Sequence, residues 1–516
     1  MKKLFKTKRS VLLAIIAIAM LIPFSGCKKF LDTQRQGQYT EENYPYPGGS
    51  GPYDQFIFGA YNDLRSYNIH VFGFLHAVSI RSDDADKGST AADGGADSNG
   101  MDNFPVITNS GLANSLWIGN LGLVNKCNNT LYQIKNNIDI TATPEIKIQT
   151  EAEARFLRAY AYFNLVRFFG RVPLFDSLVT DPAAQNNRPQ SSPAQLYAFI
   201  ESDLQFAAAN LPASWDQTFV GRATSGAANG ILAKVYLTQQ KWALAMSTAN
   251  LVMTSGKYDL STPYTTIFEE EGENSKESVF EIQGTADASV PTANGIQYTQ
   301  VQSVRGSGIW NLGWGFNSPS QILENAYEAN DPRRARTILF TSTVSTPGYT
   351  IYGELTPVGL PNPRYNQKVY TKAARRSSVG SASGWWMNIR ILRFADVVLM
   401  YAEAANEVGG AGNITIARNA LNSVRARARQ GAPGGTLPDV TTTDQDMLRD
   451  AIRYERRIEL AMEHDRFFDI VRWGISGTVM QAAGKANFSP SRDNLLPIPQ
   501  QQIDLSGGVL TQNFGY

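Results

Sequence analysis

Residues 390–428 read RILRFADVVLMYAEAANEVGGAGNITIARNALNSVRARA. Phe394, Val398, Tyr401, Ala405 and Val408 recur at three- and four-residue steps, the spacing of one face of an α-helix. Gly409, Gly410 and Gly412 break the stripe, and Ala417, Leu421 and Val424 resume it. Residues 227–253 follow the same plan. Ala228, Ile231, Leu232 and Val235 form one stripe, Gln239-Gln240-Lys241 make a turn, and Trp242, Ala245, Ala249 and Val252 form the next. A further stripe of Ala152, Phe156, Ala159, Phe163 and Val166 runs through 151–169. Small residues on apolar faces let paired helices approach closely. The pattern predicts tetratricopeptide-type helical hairpins without their tandem period of about 34 residues. The expected fold is mostly α, with helix pairs forming one half and long insertions between them.

Those insertions, at about 254–318 and 341–388, are rich in Gly, Ser, Thr, Pro and aromatic residues. Loops beyond about 15 residues are uncommon in a compact domain unless they carry function. Two of them on a helical body predict a binding half built from loops. Ser278-Val279-Phe280-Glu281-Ile282 is a candidate strand within the first.

The chain begins as an address. Five positive charges (Lys2, Lys3, Lys6, Lys8, Arg9) precede the apolar run Val11–Ile22, too short for a bilayer span of about 20 residues. Pro23-Phe24-Ser25-Gly26-Cys27 then resembles a bacterial lipoprotein cleavage site. The expected organisation is a signal peptide over 1–26, a lipid on Cys27, a polar tether over 27–55 and one body over 56–516. Lys+Arg 47 against Asp+Glu 46 gives +1, and taking away the five leader charges leaves −4. A balanced charge without a long basic run argues against nucleic acid as a partner. With Cys27 lipidated, Cys127 stands alone and reads as a small buried hydrophobe, and a disulfide framework is excluded. His70, His76 and His464 lack metal-ligand spacing.

Nucleophile elbows, phosphate loops, dinucleotide fingerprints and HExxH are absent from the sequence. Glu455, Glu459 and Glu463 recur every four residues in RYERRIELAMEHDRFFDIVRWG (453–474) and could mimic a glycosidase carboxylate pair. Met447, Ala451, Tyr454, Ile458, Ala461 and Met462 define an apolar arc that contains or borders Glu455 and Glu459, with Arg453, Arg456 and Arg457 on the other side. Carboxylates so placed point inward and need cations, with Arg390, Arg393 and Arg425 as candidates. The expectation is a structural ion-pair network. Asp83, Asp84, Asp86, Asp93, Asp97 and Asp102 lie in a Gly/Ser/Ala stretch without the EF-hand spacing. They read as a solvated loop, with structural calcium the alternative and no other metal or cofactor expected.

Aromatic residues carry the positive signal. Trp310, Trp314 and Phe316 stand in VRGSGIWNLGWGFNSPS (304–320), surrounded by glycines that let a backbone or ligand come close. Exposed indole faces beside Asn and Arg donors suit sugar rings. Trp385, Trp386 and Tyr365 are weaker candidates, and Trp117, Trp242 and Trp473 read as core.

Several longer stretches carry a resemblance. They are CKKFLD (27–32), SDDAD (82–86), EARFLRAYAYFNLVRFFGRVPL (153–174), NSPSQILENAYEANDPRR (317–334), ILRFADVVLMYAEAANE (391–407), ERRIELAMEHDRFFDIVRWG (455–474) and NLLPIPQQQIDLSGGVLTQNFGY (494–516). From about residue 24 to 516 the chain resembles the SusD/RagB family of Bacteroidetes outer-membrane lipoproteins. The resemblance implies a mostly helical, non-enzymatic protein that captures oligosaccharides or, in some members, peptides. It also implies closure over a SusC-like TonB-dependent transporter, a lipid anchor in the outer membrane and display at the cell surface. Lys28 and Lys29 follow Cys27 where an acidic export signal is expected. Carried over by position, ligand contacts fall on Arg81, Asp83, Asp84 and Asn103 in the first loop and on Trp310, Asn311 and Trp314 in the second. A peptide-binding member and a glycoside hydrolase using Glu455 and Glu459 stand as the other readings.

Overall fold

The computed structural model describes residues 51–286 and 294–516. The leader, Cys27 and most of the tether lie outside them. Among the described residues, nine helices of ten or more residues build the scaffold: α1 (Asp54–Asp63), α2 (Gly111–Asn136), α3 (Pro144–Phe169), α4 (Pro193–Asn210), α5 (Ser225–Thr238), α6 (Trp242–Met253), α7 (Phe394–Val408), α8 (Ala411–Ala428) and α9 (Gln445–Glu459). Their starts follow from capping chemistry. Thr143, Ser192, Thr224 and Asp444 each accept a hydrogen bond from a first-turn amide, and Ser192 completes a reciprocal box with Gln195. Pro144 and Pro193 occupy first-turn positions where no amide hydrogen is needed.

Consecutive helices pack in order from α2 to α6, and α6 packs on α7 across the insertions. Both expected hairpins form, α5 with α6 and α7 with α8. Helix α3 is buried on every side over Tyr160–Val166 because α2 and α4 flank it. Cys127 is buried in this core, and burial pushes its thiol well up from the usual range. Gly230 on α5 permits a close approach: a Cβ there would lie 2.4 Å from the Leu392 side chain. Val408, expected in the α7 stripe, is instead half-exposed at the helix end.

Short strand pairs tie the insertions down. β1 (Ala85–Gly88), β2 (Ser278–Ile282), β3 (Phe316–Pro319), β4 (Ile338–Phe340), β5 (Arg364–Asn366) and β6 (Ile389–Arg393) pair antiparallel as β1 with β3, β2 with β6 and β4 with β5. The first pair matches Ala85 with Pro319 and Gly88 with Phe316, so the Asp-rich loop and the Trp-rich loop become one structure.

Helix α9 carries charge into the interior. Glu455 receives Arg333 at 2.5 Å and Arg425 at 2.8 Å, and Glu459 receives Arg427 at 2.5 Å and both Arg333 and Arg393 at 3.1 Å. The ion-pair reading of these glutamates holds, and of the expected cations Arg393 and Arg425 are among the partners. Arg390 is not: its guanidinium donates to the Ile267, Glu269 and Asn388 carbonyls. Two further expectations about α9 are corrected. Met447 is exposed, because Leu448 and Ile452 hold the apolar face. Arg456 is buried, held by Asp396 at 2.5 Å and Asp469 at 2.7 Å.

Burial alone would raise the Glu459 carboxyl, but the Arg427, Arg393 and Arg333 guanidiniums outweigh it and hold it at about 2. A carboxyl depressed from its ordinary 4.5 stabilises the fold above that pH and loses its contribution as pH falls toward 2. Acid unfolding followed by circular dichroism is expected to steepen between these values. Glu459→Gln should cost about 3–5 kcal/mol at neutral pH by leaving buried guanidiniums uncompensated, and should flatten that acid limb.

Candidate functional site

The joined loops place the seven expected contacts in different settings. Arg81 is 1% exposed, donates to the Asp493 and Leu495 carbonyls and lies 4.4 Å over the Phe467 ring. Asp83 is held by Arg466 at 2.8 Å and by Arg457 at 2.9 Å, and Asp84 by Arg457 at 2.5 Å. These three side chains are turned inward. They hold the base of the loop, since Ser320 donates to the backbone carbonyls of both Asp83 and Asp84. The Asp-rich stretch is therefore not a plain solvated loop. Asp97 accepts from the Leu112 amide and the Ser110 hydroxyl, and Asp102 pairs with Lys485 at 2.7 Å. Of the stretch, Asp86 is the exposed exception, while Asp83, Asp84, Asp93, Asp97 and Asp102 each have a donor or a cation. Asn103 is exposed at the end of a short helix (Gly95–Asn103), where its carbonyl accepts from Asn487.

The two tryptophans of the second loop part company. Trp310 is 5% exposed and packs with Val304, Leu312, Tyr365 and Tyr370, so its ring belongs to the interior. Trp314 is half-buried and stands edge-on to Phe72, with centroids 6.0 Å apart. Phe72, itself half-buried, stacks with Tyr67 at 6.2 Å, and Tyr67 is 41% exposed. Tyr67, Phe72 and Trp314 thus form an aromatic run that reaches the surface.

Polar groups border this run. Ser89 lies within hydrogen-bond reach of the Trp314 carbonyl at 2.7 Å and of Asp93 at 2.8 Å. Arg305 pairs with Asp93 at 2.8 Å and keeps 39% of its side chain exposed. The Thr90 and Ser89 hydroxyls, with Arg305 adding to them, hold the Asp93 carboxyl at about 2, so it is an anion at any working pH. Asn311 is exposed and bridges to Arg305 through the backbone. The Trp314 amide donates to the Gln300 carbonyl, and the Gln300 side chain accepts from the half-buried Trp385 indole. Trp386 and Tyr365 are buried. Of the other tryptophans, Trp117 is core, whereas Trp242 and Trp473 are half-buried.

Tyr67, Phe72 and Asp93 were not singled out as contacts by the sequence. Arg305 lies in the quoted Trp-rich stretch, but Tyr67 and Phe72 precede the first long helix pair and gave no periodic signal. Among the described residues no cluster of His, Cys, Asp and Glu could hold a metal ion.

A helical scaffold presenting a surface aromatic run beside fixed donors and acceptors is a geometry suited to polar ligands. A model described as the SusD family matches residues 276–516, and one described as starch-binding associating with outer membrane matches 85–237. The chain is 28% identical over 477 residues to SusD-like protein P2 of Formosa agariphila, covering 89% of this chain and 91% of that one. It is 30% identical over 385 residues to a SusD-like protein of Bacteroides ovatus, covering 69% and 65%. Among solved structures, a laminarin-binding SusD-like protein superposes with TM-score 0.73 at 27% identity, over 90% of this chain and 99% of that one. The surface glycan-binding protein A of Bacteroides thetaiotaomicron, in complex with laminarihexaose, gives 0.73 at 25% identity, over 89% and 98%. The chain belongs to the SusD/RagB family. It is a binding protein associated with the outer membrane.

The two tryptophans are expected to separate by experiment. Trp310→Ala should lower folding stability by about 3–5 kcal/mol, the cost of emptying a buried aromatic site. Trp314→Ala should lower it by less. Chemical denaturation of the two variants checks the order.

Proposed function

We propose that the chain captures a neutral oligosaccharide or polysaccharide on the Tyr67–Phe72–Trp314 surface and passes it to a SusC-like TonB-dependent transporter. The observation that carries this reading is the exposed aromatic run flanked by the Arg305–Asp93 pair. Sugar rings stack their C–H faces on aromatic faces, while their hydroxyls donate to a carboxylate and accept from a guanidinium. Asn311, bridged to Arg305, and Trp385, joined to Trp314 through Gln300, are the further candidates for contact. Arg81, Asp83 and Asp84 contribute by holding the loop, and Trp310 by filling its interior. A lipid on Cys27, after removal of residues 1–26, would anchor the protein to the outer membrane facing the medium, with 27–55 as tether and 56–516 as the binding body.

Laminarin is the first ligand to try, because two similar structures are described with laminarin or its hexasaccharide. In native gels cast with a panel of polysaccharides, one member is expected to retard the chain starting after Cys27. Trp314→Ala is expected to weaken that binding about tenfold or more, equivalent to at least about 1.4 kcal/mol. Retardation by no polysaccharide, with a peptide bound instead in a competition assay, would replace glycan by peptide as the ligand. In cells, an alkyne-tagged fatty acid is expected to label the wild-type chain and not Cys27→Ser. The labelled chain should co-purify with an outer-membrane β-barrel.

A further inference from the structure

The two insertions together build a cleft of about 330 Å³ whose lining contains none of the Tyr67–Phe72–Trp314 run. Its wall is aromatic: Tyr352 stacks on Tyr370 with centroids 6.0 Å apart and planes 25° from parallel. Tyr352 begins a two-residue turn between the paired segments Thr350–Ile351 and Glu354–Leu355, with φ +48°, and Gly353 follows at φ +81°. Positive φ at both positions is the signature of a type I′ hairpin turn, where Asn and Gly are at home. A tyrosine there is held in a strained backbone conformation. What it supplies in return is its side chain, a 40% exposed ring in the cleft wall whose hydroxyl donates to Glu269 at 2.7 Å.

Two other features mark the same cleft. Lys372 pairs with Glu269 at 2.7 Å and Arg375 with Glu270 at 2.8 Å, so donors and acceptors stand together on one rim. Trp386, also in the lining and 2% exposed, leaves its indole N–H without a hydrogen-bond partner. An unsatisfied buried donor costs free energy that the fold does not need to bear. Carboxylates alternating with cations beside stacked rings suit an uncharged, polyhydroxylated ring. The three glutamates at 269, 270 and 271 disfavour an anionic one.

We propose that this cleft is a second glycan subsite, holding a short run of neutral sugar units. The inference rests on the glycan reading of the Trp314 surface and extends it. Two subsites on one chain favour a polymer over its fragments, because the second contact is intramolecular.

The test uses Tyr352→Gly, which removes the ring and places at this φ a residue that adopts it freely. Tyr352→Asn serves as a second variant with the same logic. The ligand is the polysaccharide that retards the wild-type chain in the panel above, laminarin first, together with a hexasaccharide cut from it. Calorimetry should show two hexasaccharides bound per wild-type chain and one per Tyr352→Gly chain. Affinity for the polymer should fall about tenfold, at an unchanged or raised melting temperature. Trp314→Ala should retain the other hexasaccharide, and the double variant none. A folded Tyr352→Gly that binds polymer and hexasaccharide as the wild type does would overturn the second subsite and leave the Trp314 surface standing. Wild-type chain retarded by no polysaccharide would remove both.

Discussion

The interior of this protein is organised around a cluster of arginines meeting the buried face of α9. Glu459 alone is shared among Arg333, Arg393 and Arg427, which arrive from the stretch after β3, the end of β6 and the end of α8. Glu455 adds Arg425, and Glu463 binds Arg393 at 2.6 Å and Lys368 at 2.6 Å. On another side of α9, Arg456 meets Asp396 on α7, and Lys234 on α5 reaches Asp396 at 2.7 Å and Asp465 at 2.6 Å. Pairs of this kind are weak as sources of net stability, because desolvation consumes much of the attraction. Their consequence is positional. A buried guanidinium displaced from its carboxylate is so unfavourable that alternative packings of the insertions on the helices are suppressed. The helices pack on small residues; the insertions, poor in periodic apolar residues, are placed by Lys368 and Glu277 entering this cluster together with the short strand pairs and the buried residues around Trp310.

This explains which parts of the molecule were legible in the sequence. The α5–α6 and α7–α8 hairpins follow from stripes repeating every three or four residues, and such local signals survive without knowledge of the rest. The inward turn of Glu455 and Glu459 was legible for the same reason, since helical phase fixes direction. Arg333 and Arg427 were not, because neither phase nor spacing says which of many arginines closes a contact across 126 or 32 residues. Trp310 and Trp314 make the limit plain. Four residues apart in a glycine-rich loop, they looked alike. Trp310 turns in because Tyr370 and Leu360, from the second insertion, cover it. Trp314 stays half-exposed because its backbone is fixed by Ser89, 225 residues earlier.

Arg81, Asp83 and Asp84 show a related limit. Position relative to a family pattern pointed to this loop, which borders the candidate surface through Ser89 and Asp93. It does not say which side chains face outward. Arg81 is held by carbonyls more than 400 residues away along the chain, a contact with no local trace.

The buried charges and the exposed rings are therefore successive steps of one construction. Arg457, on α9 itself, reaches Asp83 and Asp84, and Arg466 completes the pair. The same two aspartates offer their backbone carbonyls to Ser320, at the end of β3. The β1–β3 pairing is thereby anchored to the helix that carries the glutamate cluster. From β1 the chain passes directly to Ser89 and Asp93, and just before β3 it leaves Trp314 and Arg305 beside them. A glycan surface needs rings and polar groups held at fixed separation, since affinity for a weakly interacting sugar is lost when flexible side chains must first be ordered. Long loops alone do not supply that rigidity. Here the supply line runs from α9 through two arginines and two aspartates to a strand pair, and only then to the aromatic run. The aspartates that resemble ligand contacts by position act one step behind the surface, and the rings they support are left at the protein's surface.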